Sequence, residues 1–156
     1  MEARMSYAKA APGVYKAMLG LENYINECGL EANLLDLVRV RASQINGCAY
    51  CLDMHTKDLR ARGESEQRLY LLDAWRESPF YTERERAALA WTEAVTLLEH
   101  KQVPDEVYEQ ARRCFSEKEL ADLTLAIVAI NGWNRLNVSF QTVPGSYQPK
   151  QHSEQK

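Results

Sequence analysis

Three reactive side chains stand close together in the sequence. Cys48 and Cys51 form a Cys-x-x-Cys pair, and His55 follows four residues later. On a helix, side chains three and four positions apart lie on the same face. A free thiol with a pKa near ~8.5 is mostly protonated at neutral pH, and the thiolate is the nucleophile, so a neighbouring imidazole promotes its chemistry. The spacing therefore predicts a thiol pair assisted by a base.

The residues just before the motif place it at the start of a helix. Asn46 and Gly47 interrupt the helical periodicity, so Cys48 and Cys51 fall in the first turn of the next helix. There the unpaired backbone N–H groups and the positive helix end favour an anion. An oxidised intermediate on one sulfur can be captured by the other as a disulfide. We therefore expect two acidified thiols that cycle between dithiol and disulfide.

Three other interpretations of the motif remain open. The cysteines could be small core residues beside a satisfied histidine. A zinc site would use the motif's three side chains and a fourth ligand such as Cys28 or Asp36, although structural zinc usually draws its ligands from two separate pairs. A thioredoxin-like motif would need strands around it, and the flanking sequence has helical periodicity instead. The redox dithiol is the interpretation that the spacing favours.

Helical periodicity dominates the chain, and no segment alternates strictly between apolar and polar residues. Two capping boxes, Thr82-x-x-Glu85 and Ser116-x-x-Glu119, mark helix starts. The pattern predicts an all-α fold, a bundle of about six to eight helices. Helices are expected over residues 12–28, 30–45, 48–62, 65–75 and 82–98, in a short segment from Pro104, and over 116–130.

The chain length favours one domain, which we place at residues 1–140. Residues 141–156 are turn-forming and then polar, which predicts an extended C-terminal tail. One internal echo stands out: Ile45-Asn-Gly-Cys48 and Ile130-Asn-Gly-Trp133 each follow a largely apolar segment, 85 residues apart. This echo indicates a possible duplication of a two-helix unit in which the first copy alone carries the thiols.

Composition and charge exclude several classes of protein. Hydrophobic residues make up 46% of the chain and the net charge is −3, as expected of a packed globular protein. Charges of both signs are mixed along the chain, so a nucleic-acid partner is not expected. The most apolar segment, residues 120–130, falls far short of the ~20 residues that span a bilayer. The N-terminal residues do not form a signal peptide, so we expect no membrane association and a cytoplasmic protein.

The segment around the thiols carries a family resemblance. From Leu37 to His55 it reads Leu-Val-Arg-Val-Arg-Ala-Ser-Gln-Ile-Asn-Gly-Cys-Ala-Tyr-Cys-Leu-Asp-Met-His. This string resembles the core motif of the alkylhydroperoxidase D-like branch of the carboxymuconolactone decarboxylase family, with a clear match from about Leu34 to Gly63. The resemblance implies an all-helical bundle that assembles as a homo-oligomer, a trimer or hexamer. It also implies a peroxidase that reduces hydroperoxides with electrons from a dihydrolipoyl or thioredoxin-like partner, without a cofactor or metal.

The resemblance also assigns roles to residues. It makes Cys51 the thiol that attacks the peroxide, Cys48 the resolving thiol, and His55 part of a proton relay. Asp36 stands where the family's redox members usually carry a glutamate that completes the relay. The helix-end argument alone favours Cys48 as the more acidic sulfur. We follow the family and assign attack to Cys51, because an adjacent base can take its proton at the moment of reaction.

Two other functions remain in view. Decarboxylases of the wider family act on a lactone without this thiol pair, so the two cysteines argue against a lyase. A non-catalytic helical oligomer could use the same thiols for redox sensing or for partner docking. The leading hypothesis is a thiol-dependent peroxidase with a sulfenic acid and disulfide cycle at Cys51 and Cys48.

Overall fold

The computed structural model describes residues 1–149, and that part of the chain is helical without strands. This confirms the all-α prediction. The helices, in chain order, are α1 (Tyr7–Ala10), α2 (Pro12–Glu27), α3 (Ala32–Asn46), α4 (Ala49–Ala61), α5 (Glu66–Leu71), α6 (Glu83–Leu97), α7 (Asp105–Cys114) and α8 (Glu117–Ser139). Short 3₁₀ turns cover Leu72–Glu77 and Glu99–Lys101. In the described part of the chain, no helix combines the length and the apolar character needed to cross a bilayer.

Both predicted capping boxes are formed. The Thr82 Oγ1 accepts a hydrogen bond from the Glu85 backbone N–H at 3.2 Å, and the Glu85 carboxylate accepts one from the Thr82 N–H at 2.8 Å. Ser116 and Glu119 make the same reciprocal pair. These bonds satisfy backbone donors that have no partner inside the helix. The caps therefore begin α6 and α8 where the sequence predicts.

The last helix is longer than predicted. The Asn-Gly pair at 131–132 is typical of a break, yet α8 continues through it to Ser139. A Cβ on Gly132 would lie 2.9 Å from the Met18 side chain of α2. Gly132 therefore lets α8 pack closely against α2, and it does not form a turn. In the first segment of the internal echo, a break at Gly47 separates two helices, whereas in the second segment α8 continues without a break. The two segments therefore differ in structure.

Helix α3 lies at the centre of the bundle and packs against α4, α6 and α8. Apolar residues on its two sides belong to two separate core clusters, one with Val38 and the other with Leu37. A third, smaller cluster joins Ala42 of α3, both motif cysteines and Ile130 of α8. The cysteines are thus part of the core at the junction of three helices.

A left-handed glycine produces the break between α3 and α4. Gly47 has φ +64° and ψ +33°, a conformation that costs a residue with a side chain about 1 kcal/mol or more. Its neighbour Asn46 donates from Nδ2 to the side-chain oxygens of Asn131 and Asn134, both at 2.9 Å. The turn that precedes the thiols is therefore held against α8.

The described part of the predicted tail lies along α4. The Asp53 carboxylate accepts a hydrogen bond from the Gly145 N–H at 3.0 Å, and Lys57 Nζ donates to the Tyr147 carbonyl at 3.0 Å. The Tyr147 hydroxyl donates to Asp58 at 2.7 Å. Residues 142–149 are therefore tied to the helix that carries the thiols. The rest of the predicted tail, residues 150–156, lies outside the described residues.

The break can be tested by adding a methyl group. Gly47→Ala is expected to lower the free energy of unfolding by about 1 kcal/mol, because no atom crowds the site and the left-handed backbone alone penalises the side chain. Gly20→Ala is the matched control, since Gly20 is uncrowded in the interior of α2 and should gain about 0.5–1 kcal/mol. Urea unfolding measures both. Equal effects of the two changes would contradict the role given to Gly47.

Candidate active site

The two motif cysteines are paired. Cys48 and Cys51 form a disulfide, with their Cα atoms 5.4 Å apart. Cys48 has the extended conformation of a helix N-cap, and its Sγ accepts a hydrogen bond from the Cys51 backbone N–H at 3.3 Å. Both residues are 1% exposed. The structure therefore places both sulfurs in the first turn of α4, as the spacing predicts.

The two sulfurs face different openings. Cys51 and His55 line a cavity of about 390 Å³ that is bounded by α1, α2, α3, α4, α8 and the described tail. Cys48 lines a separate depression of about 210 Å³ beside Gly47 and residues 141–142. Asn137 of α8 borders both spaces. A small molecule in the larger cavity therefore meets Cys51.

Aromatic and apolar side chains form much of the larger cavity's wall. Trp133 and Tyr15 contact each other edge to face, with ring centroids 5.7 Å apart. The remaining members of this part of the wall are Tyr7, Leu19, Tyr50, Met54 and Tyr147. Such a lining suits an apolar organic group with only a few polar anchors.

His55 is buried in a neutral state. Burial, together with the nearby positive charge of Arg39, lowers its pKa from the usual 6.5 to about 3. Its Nδ1 lies 3.7 Å from an Asp36 oxygen and 3.9 Å from an Asp58 oxygen, and no described residue hydrogen-bonds to it. The imidazole is therefore neutral at neutral pH, and it does not form an ion pair with a thiolate.

Asp36 is brought to the site, where it is shared between arginines. Its Oδ1 accepts a hydrogen bond from Arg39 at 3.0 Å, and its Oδ2 pairs with Arg62. Asp36 is 1% exposed, so these positive partners offset the cost of burying its charge. The 3.7 Å to His55 exceeds hydrogen-bond distance. The carboxylate therefore faces the imidazole without bonding to it.

Arg39 extends this network to the opposite wall. Its Nη2 donates to Glu22 at 2.7 Å, and the other oxygen of Glu22 accepts from Trp133 Nε1 at 3.0 Å. Side chains of α2, α3 and α8 are thereby linked across the cavity. A buried chain of this kind fixes the positions of its members, because a member left without a partner would be costly.

The sequence does not point to Asn137. Its Nδ2 donates to Cys51 Sγ at 3.5 Å, and its Oδ1 accepts from the Tyr7 hydroxyl at 3.3 Å. Asn137 lies 86 residues after Cys51, and Tyr7 belongs to a four-residue helix that the periodicity does not predict. No local pattern links these residues to the motif, so only the packed structure identifies them.

The zinc alternative lacks a set of ligands in the described part of the chain. Among residues 1–149, no three or more histidine, cysteine, aspartate or glutamate side chains are grouped so that they could hold a metal ion. Asp36, one fourth ligand considered for zinc, is held by Arg39 and Arg62. Cys28, the other, packs against a core cluster that does not contain the motif cysteines.

Comparisons with known proteins identify the family and the fold of this chain. The family model described as the carboxymuconolactone decarboxylase family matches residues 12–94. The uncharacterized protein YdfG of Bacillus subtilis (strain 168) is 44% identical over 139 residues, which cover 89% of this chain and 95% of that protein.

Two solved structures share the fold. A protein of unknown function from Agrobacterium tumefaciens, whose name proposes an AhpD antioxidant defence role, is 47% identical with a TM-score of 0.89, covering 94% of this chain and 100% of that one. An uncharacterized peroxidase-related protein from Ralstonia eutropha JMP134 with an alkylhydroperoxidase AhpD core is 19% identical with a TM-score of 0.78, covering 89% and 74%. The second likeness concerns the fold alone.

The neutral state of His55 predicts a specific loss of stability in acid. The unfolded chain binds a proton at His55 below about pH 6.5, whereas the folded chain does not bind it until about pH 3. Above about pH 6.5 this group does not lower the free energy of unfolding. Between about pH 6.5 and pH 3 the free energy of unfolding falls by about 1.4 kcal/mol for each pH unit by which the pH drops. His55→Gln removes this contribution, so its stability should depend less on pH.

Urea unfolding of the oxidised protein, measured between about pH 7 and pH 4, compares the two slopes. The other acidic groups titrate in both proteins and cancel in the difference. Parallel curves for the wild type and His55→Gln would show that the imidazole is not kept neutral by the fold.

Proposed function

Since this chain belongs to the carboxymuconolactone decarboxylase family, we propose that it is a thiol-dependent peroxidase of the alkylhydroperoxidase D-like branch. One observation carries the proposal. The paired cysteines lie at a helix start, and Cys51 shares a cavity with a neutral, buried histidine. A sulfur that can form a disulfide and has an adjacent proton acceptor has the two properties that peroxide reduction by a thiol requires.

The reaction begins at Cys51. Its thiol proton passes to His55, and the thiolate attacks the terminal peroxide oxygen, the one that carries the hydrogen. An S–O bond forms, the O–O bond breaks, and the alkoxide leaves as an alcohol after taking up a proton. The Cys48 thiolate then attacks the sulfenic acid, the S–S bond forms, and hydroxide leaves as water. An external dithiol returns two electrons by thiol–disulfide exchange.

The cavity supports the assignment of attack to Cys51. Cys51 and His55 face the same 390 Å³ space, whereas Cys48 borders a smaller one without a histidine. In the proposed scheme the neutral His55 takes the thiol proton transiently, as Cys51 attacks. In this scheme Asp36 acts on the imidazole from 3.7 Å, and it favours the protonated form of His55 that appears after transfer.

The reductant and the assembly are part of the proposal. We propose a dihydrolipoyl or thioredoxin-like dithiol as electron donor, and a homo-oligomer, trimeric or hexameric, as the working form. Exposed apolar side chains on α2 support self-association, since Val14, Leu19 and Tyr24 are each more than a third exposed.

One observation favours a second candidate function. Both motif cysteines are 1% exposed, which suits a redox sensor whose disulfide forms slowly and without turnover. Such a protein would respond to an oxidant once and would not be recycled rapidly by a dithiol. Steady-state turnover distinguishes the two functions.

The peroxidase proposal predicts which cysteine is essential. After stoichiometric organic hydroperoxide, mass spectrometry of the reduced protein should find a Cys48–Cys51 disulfide, and dihydrolipoamide should reverse it. Cys51→Ser should lower kcat/KM for hydroperoxide by at least about 1000-fold, because the nucleophile is lost. Cys48→Ser should still react once and leave a sulfenic acid on Cys51 that dimedone traps.

Cys114→Ser is the matched control, because Cys114 is a free cysteine outside the motif's core cluster, and its turnover should equal that of the wild type. Thiols that remain unmodified after stoichiometric hydroperoxide would rule out the peroxidase. A disulfide that forms without turnover, although a good dithiol is supplied, would favour the redox sensor.

A further inference from the structure

Asn137 is a buried polar residue near the end of α8. It is 5% exposed, and its side chain lies between the two spaces that flank the disulfide. A buried amide that lacks partners costs free energy, so the partners of this one indicate what it does. Its amide nitrogen faces Cys51 Sγ and its oxygen faces Tyr7.

The Tyr7 hydroxyl fixes which way the amide points. Burial, together with the neighbouring phenols Tyr50 and Tyr15, raises the pKa of Tyr7 above its usual 10.0, so the phenol keeps its proton at neutral pH. It can therefore donate to the Asn137 oxygen, as the 3.3 Å contact indicates. In the opposite orientation the amide oxygen would face Cys51 Sγ, and an amide oxygen and a thiolate are both acceptors. The bond to Tyr7 thus keeps the N–H group directed at Cys51.

Each sulfur of the pair has its own N–H donor. Cys48 Sγ accepts from the Cys51 backbone N–H at 3.3 Å, whereas Cys51 Sγ accepts from the side chain of Asn137 at 3.5 Å. Within residues 1–149, Asn137 provides the one hydrogen bond to Cys51 Sγ. A hydrogen bond to a charged form stabilises that form relative to the neutral one. The bond therefore gains strength when the sulfur becomes a thiolate.

Charged side chains around the cavity do not replace this donor. The acidic groups are Glu22 on α2, Asp36 on α3 and Asp58 on α4, and the basic groups are Arg39 on α3 and Arg62 after α4. Three negative groups face two positive ones, and both arginines are paired with Asp36. His55 on α4 is neutral, as are Tyr7 on α1 and Tyr147 in the tail, whose pKa values are raised. The cavity has no surplus positive charge for a thiolate, so a neutral donor is needed.

We propose that Asn137 is a catalytic residue that donates a hydrogen bond to the Cys51 thiolate, and that Tyr7 is the positioning residue that orients its amide. This inference rests on the thiol chemistry proposed above. When a dithiol reductant opens the disulfide, its thiolate attacks Cys48 Sγ and the S–S bond breaks. The electron pair of that bond leaves on Cys51 Sγ, beside the Asn137 N–H. In the peroxide step the same bond holds the attacking sulfur as an anion.

The test measures how readily the Cys51 thiol ionises. A Cys48→Ser background leaves one thiol in the motif and keeps an oxygen acceptor at the N-cap. In this background, the rate of Cys51 alkylation by iodoacetamide is followed against pH by mass spectrometry of the peptide. Asn137→Leu should raise the midpoint by about one pH unit, a roughly tenfold loss of thiolate at neutral pH. Tyr7→Phe should raise it by less, and Val128→Ala, on the exposed side of α8, should leave it unchanged.

Asn137→Asp provides an isosteric check. It keeps the shape of the side chain but replaces the donor with a negative acceptor, so the midpoint should rise at least as far as in Asn137→Leu. Far-ultraviolet circular dichroism establishes that each variant is folded. If Asn137→Leu does not fold, Asn137→Asp and Tyr7→Phe decide the question.

Each result has one meaning. An unchanged midpoint in the folded Asn137 variants overturns the inference. A shift in these variants without a shift in Tyr7→Phe overturns the role of Tyr7 and keeps that of Asn137. The assay uses no peroxide, so a wild-type protein that fails to reduce hydroperoxides would reject the proposed function, whatever the midpoints show.

Discussion

The contact between the end of α3 and the middle of α8 is the interaction on which the site depends. One side-chain amide, that of Asn46, donates to two asparagines of α8, and Gly47 then turns the chain into α4. Because the turn is fixed, Cys48 becomes the N-cap and Cys51 falls three residues into the helix. The same contact keeps the later turns of α8 beside α4, which brings Asn137 against Cys51. One polar contact thus determines both the direction of α4 and the neighbour of Cys51.

Burial determines the electrostatic character of the site. A carboxylate and a guanidinium enclosed by helices are costly unless they are paired, and Asp36, Arg39 and Glu22 pair across two helices, α2 and α3. Burial and the nearby charge of Arg39 keep the imidazole neutral although Asp36 is only 3.7 Å away. A neutral imidazole is a proton acceptor and a charged one is not. Burial therefore keeps a neutral imidazole beside a thiol.

The parts of the fold that could be predicted from sequence are those with local causes. Two capping boxes and the glycine at 47 act within a few residues, and each marks a helix end correctly. The spacing of the motif places both cysteines in a first turn for the same reason. This reasoning fails at Gly132, because the glycine is explained by the Met18 side chain of a distant helix, which leaves little room for a Cβ. The contact between Asn137 and Tyr7, 130 residues apart, could likewise not be predicted, because no helical periodicity indicates a contact between the two ends of a chain.

The two sulfurs differ less in their hydrogen bonds than in their access. The helix-end argument favours Cys48 as the more acidic sulfur because it is nearest the positive end of α4. That preference weakens once the contacts are compared, since a backbone N–H donates to one sulfur and an asparagine N–H to the other. The two sulfurs do differ in the cavities that they face. Cys51 faces the aromatic cavity together with His55, and Cys48 faces a smaller depression without a base. The proposed reduction of a hydroperoxide needs a proton acceptor close to the attacking sulfur, so in that proposal access and the position of the imidazole outweigh the small advantage of the helix end.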